Sequence, residues 1–150
     1  TKDLCSRTFQ KNTSHGSKKH GETVTIDEAA GVATRTPSNG VGASKSNVSA
    51  CVRDALAFLF YTRRELGQGR MPTAQEIIFG ATYNARFEYS GAATITVSNK
   101  AVVPDEVICH VRGPASDITF EVYFDRDAAR TPVSVRVPLA MGKFSLELVR

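Results

Sequence analysis

Alternating apolar and polar positions predict β-strands along most of the chain. Val24 and Ile26 alternate with polar neighbours, and later in the chain Phe144, Leu146 and Leu148 alternate with polar residues. A period of two residues is typical of a strand with one buried face. The predicted strands cover residues 3–11, 22–27, 32–36, 73–79, 83–89, 93–98, 106–112, 119–124, 133–137 and 144–149. Residues 37–49 show no apolar periodicity, and their glycine, serine and asparagine predict a loop.

One segment has the spacing of a helix instead. Apolar residues recur there at intervals of three and four, as in a helix that packs one face on a core: Val52, Ala55, Leu56, Leu59 and Phe60. Ser49 is the predicted N-cap, and the glycines of "GQG" end the helix. We therefore predict one α-helix near residues 51–65.

These elements predict a mainly β protein. About ten short strands suit an antiparallel sheet that curls into a barrel or half-barrel meander, with the inserted helix across its concave face or one mouth. A length of 150 residues suits a single domain, residues 1–150. No apolar run approaches the roughly 20 residues that span a bilayer, so we expect no transmembrane segment. We expect a monomer.

Charge is distributed unevenly along the chain. Residues 1–75 hold 11 Lys and Arg against 6 Asp and Glu, whereas residues 76–150 hold 8 against 9. A basic half can meet phosphates, anionic lipid or acidic polysaccharide, although a solvated basic surface is the simpler interpretation. Nucleic-acid binding is not expected, because the basic residues are neither interleaved with aromatic residues nor part of a known module.

The segment "SHGSKKHG" is the most basic part of the first predicted hairpin. Lys18, Lys19 and His20 are candidates for binding an anion at an exposed, glycine-containing tip. The simpler interpretation is a solvated hairpin tip whose charges prevent edge-to-edge pairing.

The chain has three cysteines, Cys5, Cys51 and Cys109. Their spacing with the three histidines matches no zinc pattern, so we expect no metal. In an exported protein we expect one disulfide and one free thiol. Among the three possible pairs we favour Cys5–Cys51, since both cysteines lie in the loop-rich first half, and Cys109 suits a small buried residue in a strand. In a cytosolic protein all three would be reduced.

No catalytic residues are predicted. The histidines lack a neighbouring nucleophile motif, and the carboxylates Glu121, Asp125 and Asp127 lie in or beside a turn, where aspartates usually bond the backbone. The charged segment "DRDAAR" is therefore interpreted as a structural corner between two strands. We expect no cofactor and no enzymatic activity.

Two segments resemble a bacterial exported family catalogued as domain of unknown function 3108. In "CVRDALAFLFYTRREL", Asp54, Phe60, Tyr61 and Arg63 match that family's helix motif of an aspartate, small or apolar residues, an aromatic pair and an arginine. The corner and final strands match its ending at these positions: Asp125, Asp127, Arg130, Pro132, Val133, Gly142 and Leu148. The basic hairpin is similar in kind.

The resemblance implies export to the periplasm or cell envelope and a curled antiparallel sheet, but no established activity and no catalytic residue. Members of the family usually have one or two further strands and a signal peptide in front. We therefore expect these to be missing from residues 1–150.

Two functions are expected from these observations. The first is a non-enzymatic binding or carrier module for an apolar or glycan ligand beneath the helix, with Phe60, Tyr61 and Arg63 at the rim of the groove. A purely structural role for these helix residues is the preferred alternative at this point. The second function is a structural or assembly factor of the cell envelope that binds protein or polysaccharide through the basic half. The possible partners are thus a lipid, a glycan or an envelope protein.

Overall fold

The computed structural model describes residues 3–140 and 142–149. The chain divides into two compact units. The first contains Thr1–Phe58 and Glu76–Tyr83, and the second contains Leu59–Gln75 and Asn84–Arg150.

The first unit contains a four-stranded antiparallel sheet in the order β1-β2-β3-β4 and a short parallel pair. Its strands are β1 (Thr8–His15), β2 (Lys18–Asp27), β3 (Val32–Pro37), β4 (Ser44–Asn47), β5 (Arg53–Asp54) and β6 (Gln75–Ile78). Its core consists of Val24, Ile26, Ala33, Val52 and Ile78. A disulfide joins Cys5 to Cys51, the pair that the sequence favours.

The single described helix, α1, covers Ala55–Gly67. Its N-cap is Asp54, whose Oδ1 accepts hydrogen bonds from the backbone N–H groups of Leu56 (2.9 Å) and Ala57 (3.1 Å). The predicted N-cap, Ser49, was wrong: its backbone N–H donates to Glu76 Oε1 instead. Serine and aspartate are both good caps, and the sequence pattern alone does not separate them.

The predicted apolar stripe of the helix was also wrong in part. Leu56 and Phe60 are exposed, by 68% and 51%, whereas Phe58, Thr62 and Leu66 are buried. The buried positions recur every four residues but are offset by two from the exposed pair. The predicted stripe started at Val52, which precedes the helix. It was also built from apolar residues alone, so it could not include the buried Thr62.

The second unit contains an antiparallel sheet in the order β13-β12-β11-β10-β7 and a two-stranded hairpin. Its strands are β7 (Thr82–Ala92), β8 (Ile95–Val97), β9 (Lys100–Val102), β10 (Asp105–Arg112), β11 (Asp117–Phe124), β12 (Pro132–Leu139) and β13 (Gly142–Glu147). Its main core cluster comprises Leu66, Val107, Cys109, Val122 and Phe124, with Leu59, Met71, Phe87, Phe120 and Val135 packed around it. The helical residues Leu59 and Leu66 thus pack on side chains of the sheet.

The mainly β, antiparallel architecture with one helix is confirmed. Three short strands were missed: β4 lies inside the predicted loop 37–49, β5 lies inside the segment predicted as helix, and β9 lies between the predicted strands 93–98 and 106–112. β4 has the sequence "SKSN" and is exposed throughout, so no alternation of apolar and polar residues identifies it as a strand. The described sheets are open, and the barrel or half-barrel stays a prediction. No described helix has both the length and the apolarity to cross a membrane.

The first hairpin differs from its prediction. β1 starts at Thr8 rather than at residue 3 and continues to His15. β2 starts at Lys18, so the turn between the two strands has only two residues. Lys18, Lys19 and His20 therefore belong to β2 and not to an extended loop.

Candidate functional site

One face of the second unit's sheet carries polar side chains from three neighbouring strands. The register places Arg86 of β7 opposite His110 of β10, and His110 opposite Thr119 of β11. Directly paired residues share a face of the sheet, and every second residue returns to it. This polar sheet face therefore consists of Asn84, Arg86, Glu88, Ile108, His110, Arg112, Asp117, Thr119 and Glu121. The residues between them form the opposite face, which packs on the main core.

Hydrogen bonds and ion pairs connect neighbouring side chains on the polar sheet face. Arg112 Nε donates to Asp117 Oδ2 at 3.0 Å, and the ring Nδ1 of His110 lies 3.1 Å from Thr119 Oγ1. Glu88 Oε2 is 3.5 Å from both Arg86 Nη1 and His110 Nε2. That imidazole nitrogen makes no hydrogen bond within the described part of the chain. The face thus offers donors and acceptors side by side.

A pocket of about 420 Å³ opens at one end of this face. Its lining includes Arg86, His110 and Arg112 together with the amides Gln75 and Asn84. Asp117 supplies a carboxylate at the same place. The side chain of Arg112 is 77% exposed and that of its partner Asp117 is 59% exposed, so their ion pair is weak and can be exchanged for contacts with a ligand.

A second network lies further along the same strands. The hydroxyl of buried Tyr123 is 2.9 Å from Glu121 Oε2 and 3.1 Å from Glu106 Oε1, and it accepts a hydrogen bond from Arg136 Nη1. Burial, followed by the hydrogen bonds and charges of Glu121 and Glu106, raises the pKa of Tyr123. Since Tyr123 is only 3% exposed, it braces the sheet and is not available to a ligand.

The helix residues singled out by the sequence lie at a different place. Phe60, Arg63 and Arg64 line an open pocket of about 400 Å³ beside Ala128 and Ala129. The Arg63 guanidinium carbon is 5.2 Å from the centre of the Phe60 ring, and Nε donates to the Ala129 carbonyl at 2.9 Å. Tyr61 does not line this pocket; its ring lies under Arg64 at 5.1 Å. The structure thus groups Phe60 with Arg63 but gives Arg63 a structural contact.

The three predicted anion-binding residues of the first hairpin do not all line one pocket. Lys19 and His20 line a pocket of about 320 Å³ with Asn12, Gly21 and Ser38, whereas Lys18 is exposed and lies outside this lining.

The charged corner "DRDAAR" is held by the carboxylate of Asp105, which was not among the predicted site residues. Asp105 accepts hydrogen bonds from Arg126 (2.8 and 3.0 Å), Arg130 (2.5 Å) and the Tyr89 hydroxyl (3.0 Å). Burial raises the pKa of Asp105, but these hydrogen bonds and the two guanidinium charges outweigh it and hold the pKa below its ordinary value. These contacts give the corner a structural role.

Two further observations concern metal binding and the reactivity of the free thiol. The described residues contain no group of three or more His, Cys, Asp or Glu arranged to hold a metal ion. Burial raises the pKa of the free Cys109 thiol, which is fully buried. Arg86 and Arg112 were not predicted as site residues, because only strand pairing brings them beside His110. A local signal was present, since Asn84, Arg86 and Glu88 alternate along one strand.

The comparisons with known proteins give a family and no further relative. A family model described as a protein of unknown function, DUF3108, matches residues 1–149. No curated protein and no solved structure matches the chain significantly. The match extends over almost the whole chain and agrees with the resemblance of the helix and the corner, and the chain therefore belongs to the DUF3108 family.

Proposed function

We propose that this protein is an exported, non-enzymatic binding module of the periplasm or cell envelope, and that its ligand is a glycan. The observation that carries the proposal is the pocket of about 420 Å³ at the end of the polar sheet face. Its volume falls in the range of small-ligand sites.

The lining suits a polyhydroxylated ligand. A sugar hydroxyl both donates and accepts hydrogen bonds, so it needs donors and acceptors close together. Arg86 and Arg112 supply donors, Asp117 supplies an acceptor, and the amides of Gln75 and Asn84 have both kinds of group. The neighbouring guanidinium groups would also accept a carboxylate on an acidic sugar.

A glycan is favoured over an apolar ligand by the packing of the second unit. An apolar carrier needs space beneath the helix, whereas the helical residues Leu59 and Leu66 pack directly on the apolar side chains of the main core cluster. The pocket beside Phe60 and Arg63 is open and has cationic walls, which suit an acyl chain poorly.

Export is supported by the disulfide between Cys5 and Cys51, because disulfides persist mainly in oxidising compartments. The test is fractionation of the native host. The protein is expected in the periplasmic or envelope fraction, with the disulfide intact. Recovery in the cytoplasm with both thiols reduced would contradict this part of the proposal.

The ligand is tested by titrating the purified protein with oligosaccharides that include neutral and uronic-acid-containing members. Calorimetry detects binding, and amide NMR shifts locate it. We expect shifts on β7, β10 and β11, and loss of at least tenfold in affinity in both Arg86→Ala and Arg112→Ala, about 1.4 kcal/mol each. Lys45→Ala, an exposed residue of β4, is the matched control. Failure of every oligosaccharide to bind, or binding unchanged in both arginine variants, would overturn the proposal.

A second candidate function is an envelope assembly factor that binds acidic polysaccharide or protein through the basic half. The pocket that contains Lys19 and His20 favours it. The informative variant is Lys18→Glu with Lys19→Glu, because both side chains are exposed. Two arginines of the same basic half, Arg35 and Arg53, are unsuitable for charge reversal. Arg35 bonds Glu22 at 2.6 Å, and Arg53 is buried. Envelope partners that co-purify equally well with this double variant would exclude the second function.

A further inference from the structure

Strand β13 (Gly142–Glu147) is an edge of the second unit's sheet and carries two exposed apolar side chains. It pairs with β12 on one side, and no described strand pairs with its other side. All six of its residues are exposed, including Phe144 at 51% and Leu146 at 70%. An edge strand presents unpaired backbone N–H and C=O groups, and soluble proteins usually shield such an edge when it also carries apolar side chains.

The exposed apolar residues continue the face that packs on the main core. Leu146 lies opposite Val135 of β12, and Phe144 lies opposite Val137. Val135 packs against the main core cluster, to which the helical residue Leu66 belongs. Phe144 and Leu146 thus extend the apolar layer beyond the part that the core covers.

The sequence of β13 is complementary to itself in one antiparallel register. When two copies pair about Ser145, each Lys143 lies opposite Glu147 of the partner subunit, and each Phe144 lies opposite Leu146 of the partner subunit. Opposite charges and apolar pairs at directly facing positions both stabilise antiparallel strands. Moving the centre by one residue to Leu146 places Ser145 opposite the partner's Glu147, and both charge pairs are lost.

We propose that two copies of this protein associate through β13, antiparallel and centred on Ser145, to form a symmetric dimer. The symmetry makes the same surface serve both subunits, as in most homodimers. The contact involves few residues, so a reversible dimer is expected and not a permanent one. Glu147 Oε2 accepts a 3.2 Å hydrogen bond from the Ser98 backbone N–H, and the second oxygen of a carboxylate can accept a further bond from the partner's Lys143. The inference is independent of the proposed glycan site and replaces the sequence-based expectation of a monomer.

Sedimentation velocity over a range of protein concentrations tests the association. The unchanged protein is expected to show a monomer–dimer equilibrium. Lys143→Glu converts two attractive pairs into two repulsive ones and is expected to weaken the dimer about tenfold or more. The double variant Lys143→Glu/Glu147→Lys restores both pairs in the opposite sense and is expected to recover the dimer. Lys45→Glu on exposed β4 is the control for net charge.

The register is tested separately by cross-linking. Ser145→Cys places two thiols opposite each other at the symmetry axis and is expected to form an intermolecular disulfide on mild oxidation. Lys143→Cys lies four residues out of register with its own copy and is expected not to cross-link. Cys109 is buried and does not interfere in the folded protein. Thermal unfolding of each variant checks that the monomer still folds.

Three results would overturn the proposal. One is a monomer at every concentration that sedimentation reaches. Another is failure of the charge-swapped double variant to recover the dimer lost in Lys143→Glu. The third is protein isolated from its host in which a different protein, or a strand of a longer chain, already occupies the edge of β13.

Discussion

Asp105 Oδ2 accepts a 2.5 Å hydrogen bond from Arg130 Nη1, which ties the start of β10 to the corner that precedes β12. The side chain of Asp105 is 10% exposed and that of Arg130 is 25% exposed. Arg126 binds the other oxygen of the same carboxylate. One buried carboxylate therefore orders a charged corner that the sequence alone shows only as a cluster of ionisable residues.

Asp105→Asn is expected to lower the free energy of unfolding at neutral pH by about 1–3 kcal/mol. The change removes the charge that two guanidinium groups share, and the exposure of Arg126 limits the loss. Because the folded pKa of Asp105 is lowered, its contribution is complete above the unfolded value near 4 and is lost as the pH falls through the folded pKa. Urea denaturation at neutral pH and at about pH 3 measures both effects, and the variant should lose less stability on acidification.

Asp117→Asn is the matched control for this prediction. It removes an ion pair of similar length, 3.0 Å, but with exposed partners, and it should change stability by less than about 0.5 kcal/mol. Equal effects of the two substitutions would contradict a special role for Asp105.

Asp54→Ala is expected to destabilise the protein by about 1–2 kcal/mol, because the residue caps the helix and also bonds Ser6. Its Oδ1 accepts the N–H groups of Leu56 and Ala57, and Oδ2 accepts the Ser6 hydroxyl at 2.6 Å. Ser49→Ala should have little effect, since only the backbone of Ser49 makes its contact with Glu76. Chemical denaturation distinguishes the two N-cap assignments. A larger loss in Ser49→Ala would refute the assignment to Asp54.

Removal of the disulfide by the double change Cys5→Ser/Cys51→Ser is expected to cost about 4 kcal/mol. The bridge joins two cysteines 46 positions apart in the chain, and in the chain-entropy account closing a loop of that size restricts the unfolded state by that amount. Thermal and urea unfolding of the double variant give the change. A loss below about 1 kcal/mol would show that the loop is already restricted in the unfolded state.

Alkylation followed by intact mass measurement should find one reactive thiol, and only after unfolding. Cys109 is completely buried, and burial raises the pKa of its thiol, so both access and the thiolate fraction are low in the folded state. Reduction before alkylation in denaturant should raise the number of modified thiols to three. Rapid modification of the native protein would contradict the burial of Cys109.

Arg63→Ala is expected to lower the free energy of unfolding by about 1 kcal/mol, because Nε donates to the Ala129 carbonyl. Arg63→Lys keeps the charge but has no equivalent of Nε and should not restore the stability. The comparison by urea denaturation separates a structural hydrogen bond from a role of charge alone. Full recovery with lysine would favour the charge.

The local patterns of the sequence were sufficient to predict most elements. The alternation of Val24 with Ile26 and of Phe144 with Leu146 identified strands, since a period of two residues depends only on neighbouring positions. Polar strands such as β4 escaped detection because nothing apolar alternates in them. The pairing of Cys5 with Cys51 was favoured by their common location in the first half.

The candidate sites depended on tertiary structure. His110 meets Arg86 and Thr119 only because β7, β10 and β11 pair in one register, and Asp105 reaches Arg130 across 25 positions of the chain. Distances of this kind follow from strand order and register, which are set by long-range packing and by the burial of one face. The sequence by itself therefore determined a mainly β chain with one helix and a favoured disulfide. Only the tertiary structure decided which polar residues share a face, because that choice depends on contacts between residues far apart in the chain.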